Sequence, residues 1–317
     1  MPRTSWAMSP LGRLSHTVME SRGEEILSML PGFGVDPRPG NRLEAAWKTL
    51  QRHRTPDALS DPGARARIAD ALHAVFQAVT IVEGHRHDLA QGGGRDRAPL
   101  FSVWQLSQLV DGALPTTERG DRPADHRFEC FMGALFRLSA LHVSRAEPDW
   151  RVLYRNGEIL GVAVKRLNAP TAEAALRLIK KGAAQLRRQK LRGIVVLNVE
   201  GLVQGIDTDT EVEAFGQAFN ARLKALQDSL DSLVRYPELV AVMFTGIISR
   251  WITPADKPPT FHFSHPVKVI GFSDVESPDH FDAFFRYGLM PRMDNALTHV
   301  TDLVSPRWLS VNSARSM

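Results

Sequence analysis

Asp149-Trp150-Arg151-Val152-Leu153-Tyr154, Ile159-Leu160-Gly161-Val162-Ala163-Val164-Lys165-Arg166-Leu167 and Gly193-Ile194-Val195-Val196-Leu197-Asn198-Val199 are the runs that decide the fold. The first two are apolar and β-branched and flank Asn156-Gly157, so they read as a hairpin. Between the second and third, Ala172 to Lys190 carries Ala175, Leu178, Ile179, Ala183 and Leu186 at helical spacing. Lys180, Lys181, Arg187, Arg188 and Lys190 fall largely outside that stripe, and Gly193 reads as the stop. A continuous apolar run is how a strand buried on both faces begins, and a helix joining two parallel strands makes a right-handed crossover. Upstream, Pro123 to Val143 sets Phe128, Met132, Leu135, Phe136, Leu138 and Leu141 on one broad helical face, with Glu129 beside it.

Alternate strand residues share a face, so Ala163 and Lys165 point one way and Val162 and Val164 the other. A lysine in so apolar a strand calls for a partner. If the hairpin loop is Arg155-Asn156-Gly157, Asp149 falls opposite Ala163 and on the lysine's face. If it is Asn156-Gly157 alone, Asp149 pairs with Val164, on the wrong face unless a bulge corrects it. A partly buried Asp149–Lys165 ion pair, with Glu129 merely solvated, is the plain structural expectation.

The order helix, hairpin, helix, strand resembles the PD-(D/E)xK nuclease superfamily. The residues that carry the resemblance are Pro148-Asp149, Gly161-Val162-Ala163-Val164-Lys165-Arg166 and Gly193-Ile194-Val195-Val196. It is most similar to a bacterial branch whose second core strand reads Gly-Val-Glu-Cys-Lys-Arg. The resemblance implies an α/β, restriction-endonuclease-like mixed sheet flanked by helices and preceded by an α-helical N-terminal region. It also implies a phosphodiesterase site in which carboxylates hold Mg²⁺ or Mn²⁺ and a lysine positions the attacking water. Carried over, Asp149 and Glu129 are the metal ligands, Lys165 serves the water, and Gln185 matches a polar position on the crossover helix. Ala163 stands where the family has an acid. Two functions follow as expectations. One is an incomplete or rearranged Mg-dependent site acting on DNA; the other is an inactive pseudonuclease that binds nucleic acid or protein. Arg166, Lys180, Lys181, Arg187 and Arg188 are the candidate phosphate contacts.

Outward from this centre, helical spacing recurs at Asn41 to Arg52, Gly63 to Val82 and Phe101 to Leu109. Residues 1–120 are therefore expected to form a helical region, open to a protein partner, and residues 121–317 the nuclease-like domain. Residues 1–40 read as a loosely packed leader with a short helix near Glu24 to Met29, and Asp88 to Ala98 as a connection. Downstream, a helix is expected from about Asp207 to Val234, a strand over Leu239 to Phe244, an edge strand over Phe261 to Phe272 and a closing helix from Ser277 to Leu289. With 317 residues and 43% hydrophobic side chains, a sizeable core is within reach. Cys130 is the one cysteine, which excludes an internal disulfide and fits a reducing compartment. The absence of a long apolar run leads us to expect no membrane span and a cytoplasmic location. His85-Arg86-His87-Asp88 and His262-Phe263-Ser264-His265 read as surface histidines more than metal clusters. No nucleophile elbow, dinucleotide fingerprint or Walker loop is present.

Overall fold

The computed structural model describes residues 3–13, 16–53, 61–91, 99–112, 122–153, 158–169, 171–203, 212–228, 236–252, 260–271 and 285–304. The chain divides into two compact units. One holds Met1–Pro10, Ser139–Ile248 and Ser264–Asn295, the other Leu11–Leu138, Ser249–Phe263 and Ala296–Met317.

The first unit is built on a mixed, open sheet. The strands of the sheet are β1 (Arg3–Arg13), β2 (Val143–Ala146), β3 (Asp149–Leu153), β4 (Ile159–Arg166), β5 (Gly193–Asn198), β6 (Leu239–Thr245), β7 (Ile248–Ile252) and β8 (Thr260–Gly271), of which Leu11–Arg13, Ser249–Ile252 and Thr260–Phe263 are counted with the second unit. They run in the order β1-β8-β6-β5-β4-β3-β2, with β7 paired to β8. β4, β5 and β6 are parallel, and β2, β3 and β8 join antiparallel. Helices α6 (Ala172–Arg188) and α7 (Val212–Asp228) pack on one face, where Ile179, Leu186, Phe219 and Leu223 meet Ala163, Val195, Leu197, Val242 and Phe244. Val162, Val164, Ile194, Val196 and Met243 on the opposite face are equally buried. That is why these strands are apolar at successive positions until their last residues.

Thr171 starts α6 by accepting a hydrogen bond from the Ala174 N–H at 3.2 Å. Its end differs from expectation. The helix stops at Arg188, before Gly193, in a Schellman arrangement: Leu191 N–H donates to Leu186 O at 3.1 Å and Lys190 N–H to Arg187 O at 3.0 Å. Lys190 occupies the left-handed position with φ 52°, where glycine is favoured. Gly193 serves a different end: a Cβ there would lie 2.0 Å from Gly161 O, so its bare backbone lets β5 start hard against β4.

The helical unit comprises α1 (His16–Met29), α2 (Arg42–Arg52), α3 (Pro62–Gln91), α4 (Val103–Ser107) and α5 (Arg122–Leu138). Asn41 caps α2 through the Glu44 N–H, and Ser102 with Gln105 closes a capping box on α4. α3 runs on to Gln91, into the segment expected to be a connection, whose residues 92–98 lie outside the described residues. Asp88 is buried in it 3.0 Å from Arg137 on α5 and accepts the Leu100 N–H at 2.9 Å. His85, expected at the surface, is buried between the rings of Phe33 and Phe101, and that burial lowers its pKa. Asp88 here ties α3 to α5, and His85 packs α3 against Phe33 and Phe101. Among the described residues no helix is long and apolar enough to cross a membrane.

Other expectations also change. The supposed leader holds strand β1 and the full helix α1. The helix expected to reach Val143 ends at Leu138, which frees Val143–Ala146 to pair with β3. β8 lies between β6 and β1, inside the sheet order. The closing helix is α8 (Met290–Leu303), after a π-helical turn over Phe285–Leu289; residues 277–284 lie outside the described residues.

A lysine held at positive φ costs roughly 1 kcal/mol against glycine. Lys190→Gly should therefore raise the unfolding free energy by about that amount in a urea titration; an unchanged or lower value would show that the left-handed turn carries no strain.

Candidate functional site

The register of β3 on β4 pairs Trp150 with Val162 and Leu153 with Ile159, which sets Asp149 across from Ala163. This is the register that a three-residue loop requires; residues 154–157 themselves lie outside the described residues. Asp149 opens β3 directly after a two-residue reversal from Ala146, in which the Glu147–Pro148 bond is cis. Asp149 and Lys165 thus share the face that α6 covers.

They meet there. Lys165 Nζ donates to Asp149 Oδ2 at 2.9 Å and to Val164 O at 2.8 Å, while Val164 N–H donates to the same Oδ2 at 2.7 Å. Both side chains are largely buried, at 14% exposure for Asp149 and 11% for Lys165. Burial raises the Asp149 carboxyl above its ordinary value, against the opposing pull of Lys165 and the Val164 N–H. The carboxylate is therefore engaged through one oxygen by a cation and a backbone donor, and it ties β3 to β4.

Ala163 lies between them in sequence but under the helix in space. It is wholly buried, and a Cβ on Gly182 of α6 would stand 3.3 Å from its methyl and 2.7 Å from Val195 Cγ2. The helix sits this low because residue 182 has no side chain. Gln185, one turn on, is half-buried, and its Oε1 is buried with no hydrogen bond among the described residues. Glu129 belongs to the helical unit, on α5, where it lies 3.3 Å from His126 Nδ1.

A divalent magnesium site needs several oxygen ligands converging on one point. Asp149 Oδ2 is committed to Lys165 and Val164, residue 163 contributes a methyl, and no group of three or more His, Cys, Asp or Glu suited to a metal forms among the described residues. These residues do not fit the ion. The histidine pairs do not supply one either. His265 is fully buried, bonded through Nε2 to Thr245 Oγ1 at 2.9 Å, with its pKa pushed down to about 3 by burial. The side chain of His262 lies outside the described ones.

The outward face of α6 is of another kind. Glu173, Arg177, Lys180, Lys181, Ala184, Arg187 and Arg188 are all exposed and recur at three- and four-residue intervals, so they form one stripe, and exposed Lys190 and Arg192 follow it. Arg187 pairs with Glu238 at 3.2 Å and lies over the Tyr236 ring at 5.6 Å. Among the described residues no acid pairs with Arg177, Lys180, Lys181, Arg188, Lys190 or Arg192. On α1, α2 and α3, by contrast, cations are matched along the helix: Arg22 with Glu25, Lys48 with Glu44 and Arg86 with Glu83. Arg166 does not join the stripe, since it is half-buried on the opposite face of β4. Arg177 and Arg192 were not among the candidates read from the sequence; the spacing from Lys181 back to Arg177 was the available signal for the first.

No protein-family model, no curated protein and no solved structure matches this chain.

Ala163→Glu would force a carboxylate into the contact between Gly182 and Val195. It should lower stability by roughly 3 kcal/mol or more through overpacking and burial of a charge. A denaturant midpoint equal to wild type would show that α6 yields readily and that an acid at this position is tolerated.

Proposed function

We propose that this chain is a DNA-binding protein on a PD-(D/E)xK-type scaffold, in which the Asp149–Lys165 pair braces the hairpin and α6 contacts the phosphate backbone. The observation that carries this reading is the unmatched cation stripe of α6. Surface helices are ordinarily balanced by acids one turn away, as α1, α2 and α3 are here. A face with one acid, Glu173, in its first turn and basic residues along the rest attracts a polyanion. Arg177 to Arg188 spans about 16 Å of helix axis, enough to follow several phosphates of one strand. Lys190 adds to this: it keeps a cation beside the stripe at a position where glycine would be the more stable residue.

The scaffold resemblance supports DNA as the polyanion, and the hydrogen bonds of Asp149 support a binding role over cleavage. With its carboxylate engaged by Lys165, and with a methyl where the family places an acid, the pair works as a strand tie. Mg²⁺ or Mn²⁺ has no part in this reading.

Binding of a short fluorescent duplex, followed by anisotropy at rising KCl, tests it. The affinity should fall with a log–log slope of about −3 to −5, and Lys180→Glu with Lys181→Glu should make that slope shallower by roughly two. A flat salt response, or a double variant that behaves as wild type, would overturn the proposal.

A further inference from the structure

Leu153 and Ile159 are directly opposed across β3 and β4, and both are open to solvent, at 45% and 47%. They close the described part of the hairpin and lie on the same sheet face as Asp149 and Lys165, where α6 packs. A single exposed leucine is unremarkable on a protein surface. A facing pair of branched apolar side chains at a strand end is a different matter, because the described residues leave both nearly half exposed.

Its surroundings give it a direction. The next row on that face is Arg151 opposite Gly161, about 7 Å away. Gly161 lies beneath Leu186 and Leu191 at the end of α6, and its N–H donates to Arg192 O at 2.9 Å. Arg151 reaches across to Gln189 Oε1 at 3.5 Å. The end of α6, where Lys190 and Arg192 follow the cationic stripe, is therefore joined through Gln189 and the Arg192 carbonyl to the row next to the apolar pair. Lys190 follows Gln189, the residue that Arg151 reaches, in its left-handed turn with φ 52°.

We infer that Leu153 and Ile159 form a wedge that enters the minor groove of duplex DNA and opens a base step, while the α6 cations hold the flanking phosphates. This rests on the DNA-binding reading and names the form of nucleic acid and the way it is deformed. Apolar side chains inserted between base pairs unstack them and kink the duplex, and the extra phosphate contacts that the kink permits offset that cost. The arrangement here has the parts this requires: an exposed apolar pair and, on the helix that packs on the same sheet face, unmatched cations. A flexible pyrimidine–purine step is the easiest place to open, so DNA with a central TA step is the preferred substrate.

The test uses the full chain and a duplex with a donor–acceptor dye pair at its ends and 2-aminopurine at a central TA step. Wild type should raise both the energy transfer, as the ends approach, and the 2-aminopurine fluorescence, as the base unstacks. Leu153→Thr with Ile159→Thr keeps strand propensity at exposed positions. This variant should bind with the same salt slope, lose both signals, and weaken by roughly tenfold. The inference is overturned if wild type binds without either signal, if the threonine pair bends and unstacks DNA as wild type does, or if the apolar pair instead proves necessary for binding anionic vesicles. Absence of any DNA binding by wild type overturns the reading beneath it as well, so the two failures are distinguishable.

Discussion

The depth at which α6 sits on β4 and β5 governs what this unit of the protein can do. Gly182 has no side chain, so the helix axis approaches until Ala163 and Val195 fill the space beneath it. A longer residue at 163 or 182 must push the helix away from the sheet, and close-packed interiors resist this by kilocalories per mole. Once the helix is this close, no room remains at Ala163 for a side chain that could reach toward Asp149. The aspartate then finds its partner along the strand, in Lys165. Small residues under the helix and a closed ion pair beside it are thus parts of one arrangement.

The same seating decides which side of α6 meets solvent. With Ala175, Ile179, Ala183 and Leu186 turned down into the core, every three- and four-residue neighbour on the other side is turned outward. That side is cationic and, Arg187 apart, has no acids paired with it among the described residues. Charges left unmatched repel one another, and a lysine at a left-handed turn costs a little more. Neither feature helps the fold, and both are what the phosphate-binding surface we propose would require.

Much of this was legible in the residues, for identifiable reasons. β4, β5 and β6 are apolar at successive positions because both their faces are buried, and α6 announces itself by a clean stripe. The sharing of a face by Ala163 and Lys165 follows from strand alternation alone. The position of Asp149 depended on a single loop residue, which local sequence left undecided. β1, β2 and β7 were missed because their residues are polar, short or interrupted by proline, as in Ser9-Pro10, and their pairing is set by strands far away in the chain. β8 was placed at an edge because nothing local states which neighbours a strand will have. His85 and Asp88 read as surface groups because their burial depends on Phe33, Phe101 and Arg137, none of them close in sequence. Lys190 escaped notice since glycine is the residue one looks for at a helix end.

The central claim is that Asp149 is a structural partner of Lys165 and holds no metal. Calorimetric titration of the full chain with Mg²⁺ and with Mn²⁺, beside Asp149→Ala, tests it most directly. The account predicts no saturable uptake at millimolar metal in either protein. A one-site isotherm in wild type that disappears with Asp149→Ala would contradict it, and would return the carboxylate to the chemistry that the family resemblance first implied.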